Sequence, residues 1–306
     1  MIDILLSAYN GQKFIKEQID SIIGQTIGDW RLLISDDCST DGTLDVLATF
    51  REDSRIELVS QNVKYGSARD NFLNLLNYAS GDYVMFCDQD DVWLPDKIEV
   101  TLRLMEELER ANGSDIPLLV FTDLRVVDED LKTINLSFTR ESNIDPSRCG
   151  FKQVIAQSLG AGCTMMMNHA LLDLARLPMA RDKVIMHDWW VTLIASAFGK
   201  IAYLDRPTSL YRQHASNSVG AIEYHPVKRV AAFESMVSSV EKTIVQAEEF
   251  QTVFGGRLSE KQRANLANFI KQRDGNVLSR EAHLIASGCW KKGLRKVGQL
   301  IVAAVL

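Results

Sequence analysis

Asp82-Tyr83-Val84-Met85-Phe86-Cys87-Asp88-Gln89-Asp90-Asp91-Val92-Trp93 reads as a buried apolar strand that runs directly into three carboxylates within four residues. A short, continuous apolar run of this kind suits a strand covered on both faces, as in a parallel sheet. Toward the N-terminus, residues 2–7, 30–36 and 56–60 repeat the pattern. Between them, Gln12–Ile23, Thr43–Phe50 and Ala68–Ala79 place apolar residues at helical period. Strand and helix thus alternate through about Met105, which predicts βα units feeding a mainly parallel sheet flanked by helices. Beyond that point Leu118–Thr122 and Cys163–Met167 read as strands, Thr139–Asp145 as a loop and His187–Phe198 as an apolar helix. Ile201–Leu204 and Ser209–Tyr211 read as two short strands, and the chain after Pro226 is mostly helical. The expected organisation is an α/β domain over residues 1–222 and a helical region over 223–306.

Ligands of open α/β sheets bind outside the carboxyl ends of the strands, so the residues that follow each run carry the chemistry. Those segments are Ala8-Tyr9-Asn10, Asp36-Asp37, Gly66–Asn71 with Arg69, and Cys87–Asp91. One edge gathers an aromatic ring, several carboxylates and an arginine, which suits a flat base, a divalent cation and a phosphate. Three uncompensated carboxylates repel one another, and hard oxygen ligands favour Mg²⁺ or Mn²⁺ bridging substrate phosphates. A solvated acidic turn with Asp96 capping the next helix reads similarly. The second acidic turn at Asp36-Asp37, on the same predicted edge, weighs against that plainer account.

Composition removes other classes. The 34 Lys and Arg against 40 Asp and Glu give a net charge of −6, which argues against nucleic acid as a partner. The 5 cysteines stand at wide, irregular spacings with no C-x-x-C pair, so neither a zinc site nor a closed disulfide framework is expected. Ile2–Ser7 is too short for a signal peptide and Leu300–Leu306 too short to span a bilayer, so a cytoplasmic location is the expectation.

Four segments, in order and spacing, resemble family 2 glycosyltransferases: Ile2–Gly11, Asp36–Thr43, Asp88–Lys97 and His187-Asp188-Trp189-Trp190. The resemblance spans roughly residues 1 to 220. Asp-Gln-Asp-Asp-Val-Trp and Tyr211-Arg212-Gln213-His214 are similar to segments of bacterial rhamnosyltransferase-like enzymes of surface polysaccharide assembly. The resemblance implies a GT-A fold, a nucleotide-diphosphate-sugar donor such as a dTDP- or UDP-sugar, a divalent metal and inversion at the anomeric carbon. Carried over to this chain, it implies that Tyr9 stacks on the base and that Asp37, or its neighbour Asp36, accepts from the base. Asp88 and Asp90 form a metal-binding D-x-D, with Gln89 between them at the donor and Asp91 behind them in support. Arg69 either approaches the donor phosphates or is a solvated arginine at a helix start. His214 either ligates the metal or contacts the diphosphate, within a polar segment through Gly220 that closes over the donor, or is a structural or exposed histidine. Asp123 matches a position near the acceptor.

Inversion requires a general base for the acceptor hydroxyl, and Asp188 matches the family's acidic residue at a helix start, where a plain N-cap is the alternative. Adjacent residues of a helix face different ways, so one of Trp189 and Trp190, with Trp189 as the candidate, floors the acceptor sugar while the other enters the core. The Gln-x-x-Arg-Trp segment of processive members is absent, which implies transfer of a single sugar. The acceptor implied is lipid-linked or a polysaccharide. Lys291, Lys292, Arg295 and Lys296 precede an apolar tail, a pattern suited either to an anionic membrane surface or to an ordinary packed helix. Two rivals fit less well. A sugar-phosphate nucleotidyltransferase lacks its basic Gly-rich loop after the first strand, and a non-catalytic nucleotide-binding scaffold would not need Asp88, Asp90 and Asp188 together.

Overall fold

The apolar runs become β1 (Ile2–Ala8), β2 (Trp30–Asp36), β3 (Ile56–Ser60) and β4 (Tyr83–Asp88), in a computed structural model that describes residues 1–214 and 229–306. Helices α1 (Ile15–Ile23), α2 (Thr43–Ala48) and α3 (Ala68–Leu75) are the crossovers between these strands. On α1, Ile15, Ile19 and Ile22 recur at helical spacing and are fully buried against the sheet. This helix begins three residues later than its apolar period suggests, because Gln12 is used elsewhere. Its N–H donates to Asp41 and its side-chain oxygen accepts from the Gly42 N–H, which ties the loop after β1 to the loop after β2.

Further along lie β5 (Val92–Trp93), α4 (Lys97–Asn112), β6 (Leu118–Val127), β7 (Thr133–Asn135), β8 (Met165–Asn168), α7 (His169–Ala175) and β9 (Lys200–Arg212). The strand order is β3-β2-β1-β4-β8-β6-β9-β5, with β7 on β6. β1 pairs in parallel with β2 and β4, as do β2 with β3 and β6 with β9, and these are the long ladders. β8 enters antiparallel between β4 and β6. The sheet is therefore mixed but mainly parallel, and the chain turns from one side of β1 to the other between β2 and β4, which is a topological switch point.

Two local expectations change. β9 is one strand, not two, because Asp205 and Arg206 bulge outward where β6 pairs Thr122 with Leu204 and Asp123 with Pro207. A proline without an N–H is tolerated at such a register shift. The loop expected at Thr139–Asp145 begins within a single helical turn, α5 (Phe138–Glu141), whose N-terminus is capped by the Ser137 hydroxyl.

The division into units is not a single cut at residue 222. One compact unit comprises Met1–Asn143, Gly160–Arg176 and Phe198–Ala221, and holds the sheet. The other comprises Ile144–Leu159, Leu177–Ala197 and Ile222–Leu306. In this second unit α6 (Phe151–Ala156) and α8 (His187–Phe198) join α9 (Arg229–Phe254), α10 (Glu260–Lys271), α11 (Val277–Ser287) and α12 (Arg295–Val305). Aromatic packing explains the recruitment. Trp190 of α8 is fully buried and meets Phe250 of α9 edge-on at 5.5 Å, while Phe151 lies 5.7 Å from the same ring. Buried Gln246 and Glu249 of α9 accept from the Ile185 and Ala180 N–H groups, fixing the segment that leads into α8. The expected polar segment after His214, through Gly220, lies outside the described residues.

Burial holds the thiols of Cys87 and Cys163 well above the ordinary 9.0, that of Cys289 at about 12, and the Tyr211 phenol above its ordinary 10.0. These groups keep their protons in the folded state and lose them more readily when unfolded. Their contribution to stability is thus complete below pH 9 and is lost as pH rises through the folded values. Lys97 acts in the opposite sense, since burial lowers it from 10.5 to about 8 and it favours the fold as pH rises between those values. With several acids against two lysines, Lys97 and Lys291, the melting temperature is expected to fall progressively above pH 9. A melting temperature unchanged from pH 8 to 11 would contradict the burial of these groups.

Candidate active site

Strand register assembles the edge in the first unit. Asp36 pairs with Ala8 across β1 and β2, and Asp88 pairs with Ser7 across β1 and β4, so the residues that follow all leave the sheet at one end. Tyr9 is 51% exposed there, its ring available to a ligand. Its backbone is gripped by Gln89: the Tyr9 N–H donates to Oε1 at 2.9 Å and Nε2 donates to the Tyr9 carbonyl at 2.8 Å. The expected donor-contact residue Gln89 therefore spends its amide on setting the position of Tyr9. A Cβ on Gly11 would lie 2.7 Å from Gln89 Cδ, so glycine is what lets the amide pass.

The two carboxylates of the second loop have different employment. Asp36 is fully buried and accepts from the Ser39 N–H at 2.9 Å and from the Ser39 hydroxyl, which fixes the turn. Cys38, between them, takes φ +60° to make that turn. Asp37 is 6% exposed, and its Oδ1 accepts from the N–H groups of Tyr65 and Gly66 while Oδ2 accepts from Gly66 at 2.9 Å. A carboxylate offers about four lone-pair sites, so Asp37 retains capacity for a further donor. Arg69, at the start of α3, makes a two-point pair with Asp70, Nε to Oδ1 at 3.2 Å and Nη2 to Oδ2 at 2.7 Å.

The acidic cluster is split. Ligand atoms of Asp88, Asp91 and Cys163 lie within 4.8 Å of one another, while Asp90 turns away and its Oδ2 meets His214 Nε2 at 2.9 Å. Asp91, expected only in support, is fully buried inside the cluster. Burial first, and then the charges of Asp90 and Asp88, push its carboxyl well above the ordinary carboxylate range. That unfavourable accumulation of like charge is what a divalent cation relieves, and carboxylate oxygens with an imidazole suit Mn²⁺ or Mg²⁺. The carboxylates of Asp88 and Asp91 therefore suit the implied metal, whereas Asp90 and His214, expected to hold it with Asp88, are paired with each other.

Two residues support this cluster that the motifs do not single out. Lys97 is completely buried, and its ammonium donates to the Cys163 carbonyl at 2.9 Å, Thr208 Oγ1 at 3.1 Å and Ser209 Oγ at 3.0 Å, with Trp93 beneath it at 4.8 Å. Arg212 is 2% exposed. Its Nε donates to the Asp90 carbonyl at 2.9 Å, its N–H to Asp91 Oδ1 at 3.2 Å, and its guanidinium also bonds Glu17 and covers the Phe14 ring. Nothing in the sequence marks either as buried, since long basic side chains are usually solvated.

Asp123 is not on this edge as an open group. It is 1% exposed, and its carboxylate accepts from Leu124 N, Thr139 N and Thr139 Oγ1 on Oδ1 and from Ser137 Oγ on Oδ2, which pins α5. The expected acceptor contact is replaced by a structural one.

In the second unit, Asp188 stands in the first turn of α8, half-buried, its Oδ1 accepting from the Trp189 N–H at 2.6 Å. His187 is buried, which pushes its pKa down to about 3 and keeps the ring neutral. Of the tryptophan pair, Trp190 is the core residue. Trp189 is half-buried, with its indole N–H donating to the Val154 carbonyl at 2.7 Å.

Residues 3–140 match the family described as Glycosyl transferase family 2. The dTDP-rhamnosyl transferase RfbG of Shigella flexneri is 31% identical over 228 residues, covering 71% of this chain and 74% of that protein. The UDP-Glc:alpha-D-GlcNAc-diphosphoundecaprenol beta-1,3-glucosyltransferase WfgD of Escherichia coli is 35% identical over 105 residues, 34% of this chain and 41% of its own length. Among solved structures, S. aureus TarS 1–349 in complex with UDP superposes with a TM-score of 0.58 at 16% identity, covering 99% of this chain and 88% of that one. The mannosyltransferase PcManGT of Pyrobaculum calidifontis, in complex with GDP-Man and Mn²⁺, gives 0.50 at 16% identity, with 99% and 86% coverage. The switch-point edge, its ordered motifs and the extended match to RfbG together make this chain a member of glycosyl transferase family 2, with the GT-A fold.

Proposed function

We propose that the protein is a metal-dependent, inverting glycosyltransferase that moves a single sugar, rhamnose from a dTDP donor, onto a lipid-linked acceptor in bacterial surface polysaccharide synthesis. The observation that carries this reading is the convergence of exposed Tyr9, Asp37 and the Asp88–Asp91 cluster at the switch point of the sheet. The choice of donor is supported by the name of RfbG, and the lipid diphosphate acceptor by that of WfgD.

Tyr9 stacks on the base and Asp37 accepts its imide N–H, while Asp36 only holds the turn. Arg69 approaches the donor phosphates from the start of α3. Asp88, Asp90 and His214 would hold a divalent ion, which would supply positive charge for the departing diphosphate. Asp188 takes the acceptor hydroxyl proton as that oxygen forms its bond to the anomeric carbon and the bond to the diphosphate breaks. The neutral His187 is not an imidazolium at physiological pH and so is no general acid, and it stays outside the chemistry.

The C-terminal helix supports attachment to a membrane surface. Leu294, Val297, Ile301 and Val305 are 88%, 52%, 49% and 58% exposed and form one stripe at helical spacing. Lys291, Lys292, Arg295 and Lys296 cluster at its start. Among the described residues no helix is long and apolar enough to cross a membrane, so an anionic lipid surface is the occupant this combination fits. The protein is expected to sediment with vesicles containing phosphatidylglycerol, to do so less in high salt, and to lose binding in a Val297→Asp/Ile301→Asp variant. Equal binding to neutral vesicles, or none to anionic ones, would remove this part of the proposal.

The function is tested by thermal shift and turnover. dTDP or UDP with Mn²⁺ should raise the melting temperature, and EDTA or Asp88→Ala should abolish the rise. Asp188→Asn should retain the rise yet lose turnover by roughly 10²-fold or more, since it removes a proton acceptor and little volume. Silence toward every nucleotide would refute the donor reading, and undiminished turnover in Asp188→Asn would refute the base.

Gln89 supplies a third readout. Gln89→Ala should raise the nucleotide Kd by about tenfold, the equivalent of about 1.4 kcal/mol, because Tyr9 is no longer held. Tyr9→Ala should do the same, and the double variant should add little more, since both remove one stacking contact. Fully additive losses would show that Gln89 touches the nucleotide itself.

A further inference from the structure

The second unit contains a cleft of about 270 Å³ bounded by Ile185, Trp189, Ser235, Ser238, Ser239 and Lys242. Its size lies just under the roughly 300 Å³ at the low end of small-molecule sites, which suits one sugar ring with a substituent. The lining is unusual for a helix surface. Ser235, Ser238, Ser239 and Lys242 fall at i, i+3, i+4 and i+7 on α9, so three hydroxyls and an ammonium share one face. Opposite them is an indole whose orientation is fixed by the Val154 carbonyl, a flat apolar surface of the kind that packs against the C–H face of a pyranose.

Charge at the cleft is one-sided. Lys291 reaches Ser239 Oγ at 3.4 Å from the α11–α12 connection, and burial together with the neighbouring Arg295 lowers its pKa below the ordinary 10.5. Among the described residues neither Lys291 nor Lys242 has a carboxylate within ion-pair distance. Two ammonium groups beside three hydroxyls, with no anion of the protein between them, make an anion-accepting wall. Asp188 precedes Trp189 directly, so a sugar resting on this indole lies next to the proposed base.

We infer that this cleft binds a glycosyl phosphate, the sugar on Trp189 and the serines and the phosphate on Lys242 and Lys291, and that it is the docking place of the acceptor headgroup; its role as acceptor site rests on the glycosyltransferase reading above. The helical unit then takes a direct part in substrate recognition, and the basic residues before α12 gain a second use. The phosphate has two sources, a soluble sugar phosphate or the headgroup of a lipid-linked sugar, and both present the same chemistry to the lysines.

Glucose 1-phosphate is the probe, followed by ligand-observed NMR on the full chain without nucleotide, with glucose and inorganic phosphate as partial ligands. Binding is expected to exceed that of either fragment, to weaken about tenfold in Lys242→Ala and in Lys291→Ala, and to survive in Asp88→Asn. An unchanged melting temperature certifies that each variant folds, and Lys242→Arg should recover most of the affinity. Glucose linked through phosphate to a dodecyl chain forms the second arm. A lysine-dependent gain over glucose 1-phosphate assigns the site to a lipid-borne headgroup, and equal affinity assigns it to a soluble sugar phosphate. No binding, binding indifferent to both lysines, or binding lost in Asp88→Asn but not in the lysine variants would overturn the proposal. The nucleotide thermal shift is read separately, so a failed cleft and a failed glycosyltransferase reading give different results.

Discussion

The buried ammonium of Lys97 is the constraint around which the acidic edge is built. An ammonium stripped of water is tolerated only where its donors are satisfied, and Lys97 meets a carbonyl and two hydroxyls with no carboxylate in direct contact. Its three acceptors come from the turn before β8 and from β9, while the residue itself opens α4. One side chain thus ties the segment after the acidic cluster to the antiparallel insertion and to the last strand. Its positive charge also lies close enough to Asp88 and Asp91 for those carboxylates to favour its protonated form, so the cluster and its buried counter-charge stabilise each other.

Arg212 completes the support from the other side. By donating to the Asp90 carbonyl and the Asp91 carboxylate, it fixes the backbone of the cluster. His214, two residues later, is delivered to Asp90 by the same strand end, with Phe14 under its ring at 4.9 Å. The bulge at Asp205 and Arg206 matters here, because the register that follows it sets where β9 ends and hence where the imidazole falls.

Much of the sheet was legible because a buried strand must be apolar and its ends must turn. β1 through β4 start and finish within a residue of their apolar runs. The helical unit was not legible as a unit, since its core joins α6 and α8 to helices that begin only at Arg229. Apolar periodicity reports which face of α8 is buried but not its partner. The contacts of Trp190 with Phe250 and Phe254 show that the helix bearing Asp188 packs with the C-terminal helices.

The site was legible as a set of carboxylates but not as a set of roles, and the reason is physical. An aspartate's role is decided by which donors already occupy its lone pairs, and those donors come from distant segments. Asp36 is closed by Ser39 three residues away, a pattern local enough to be read from a turn sequence. Asp37 is held by Tyr65 and Gly66, Asp90 by His214, and Asp123 by Ser137 and Thr139, none of which the local sequence announces. Asp37 follows β2 and accepts only backbone N–H groups, whereas Asp123 lies within β6 and is met by the hydroxyls of Ser137 and Thr139 as well as by N–H groups. Chemistry at this edge is therefore distributed by the loops, while the strands only bring the carboxylates to a common end.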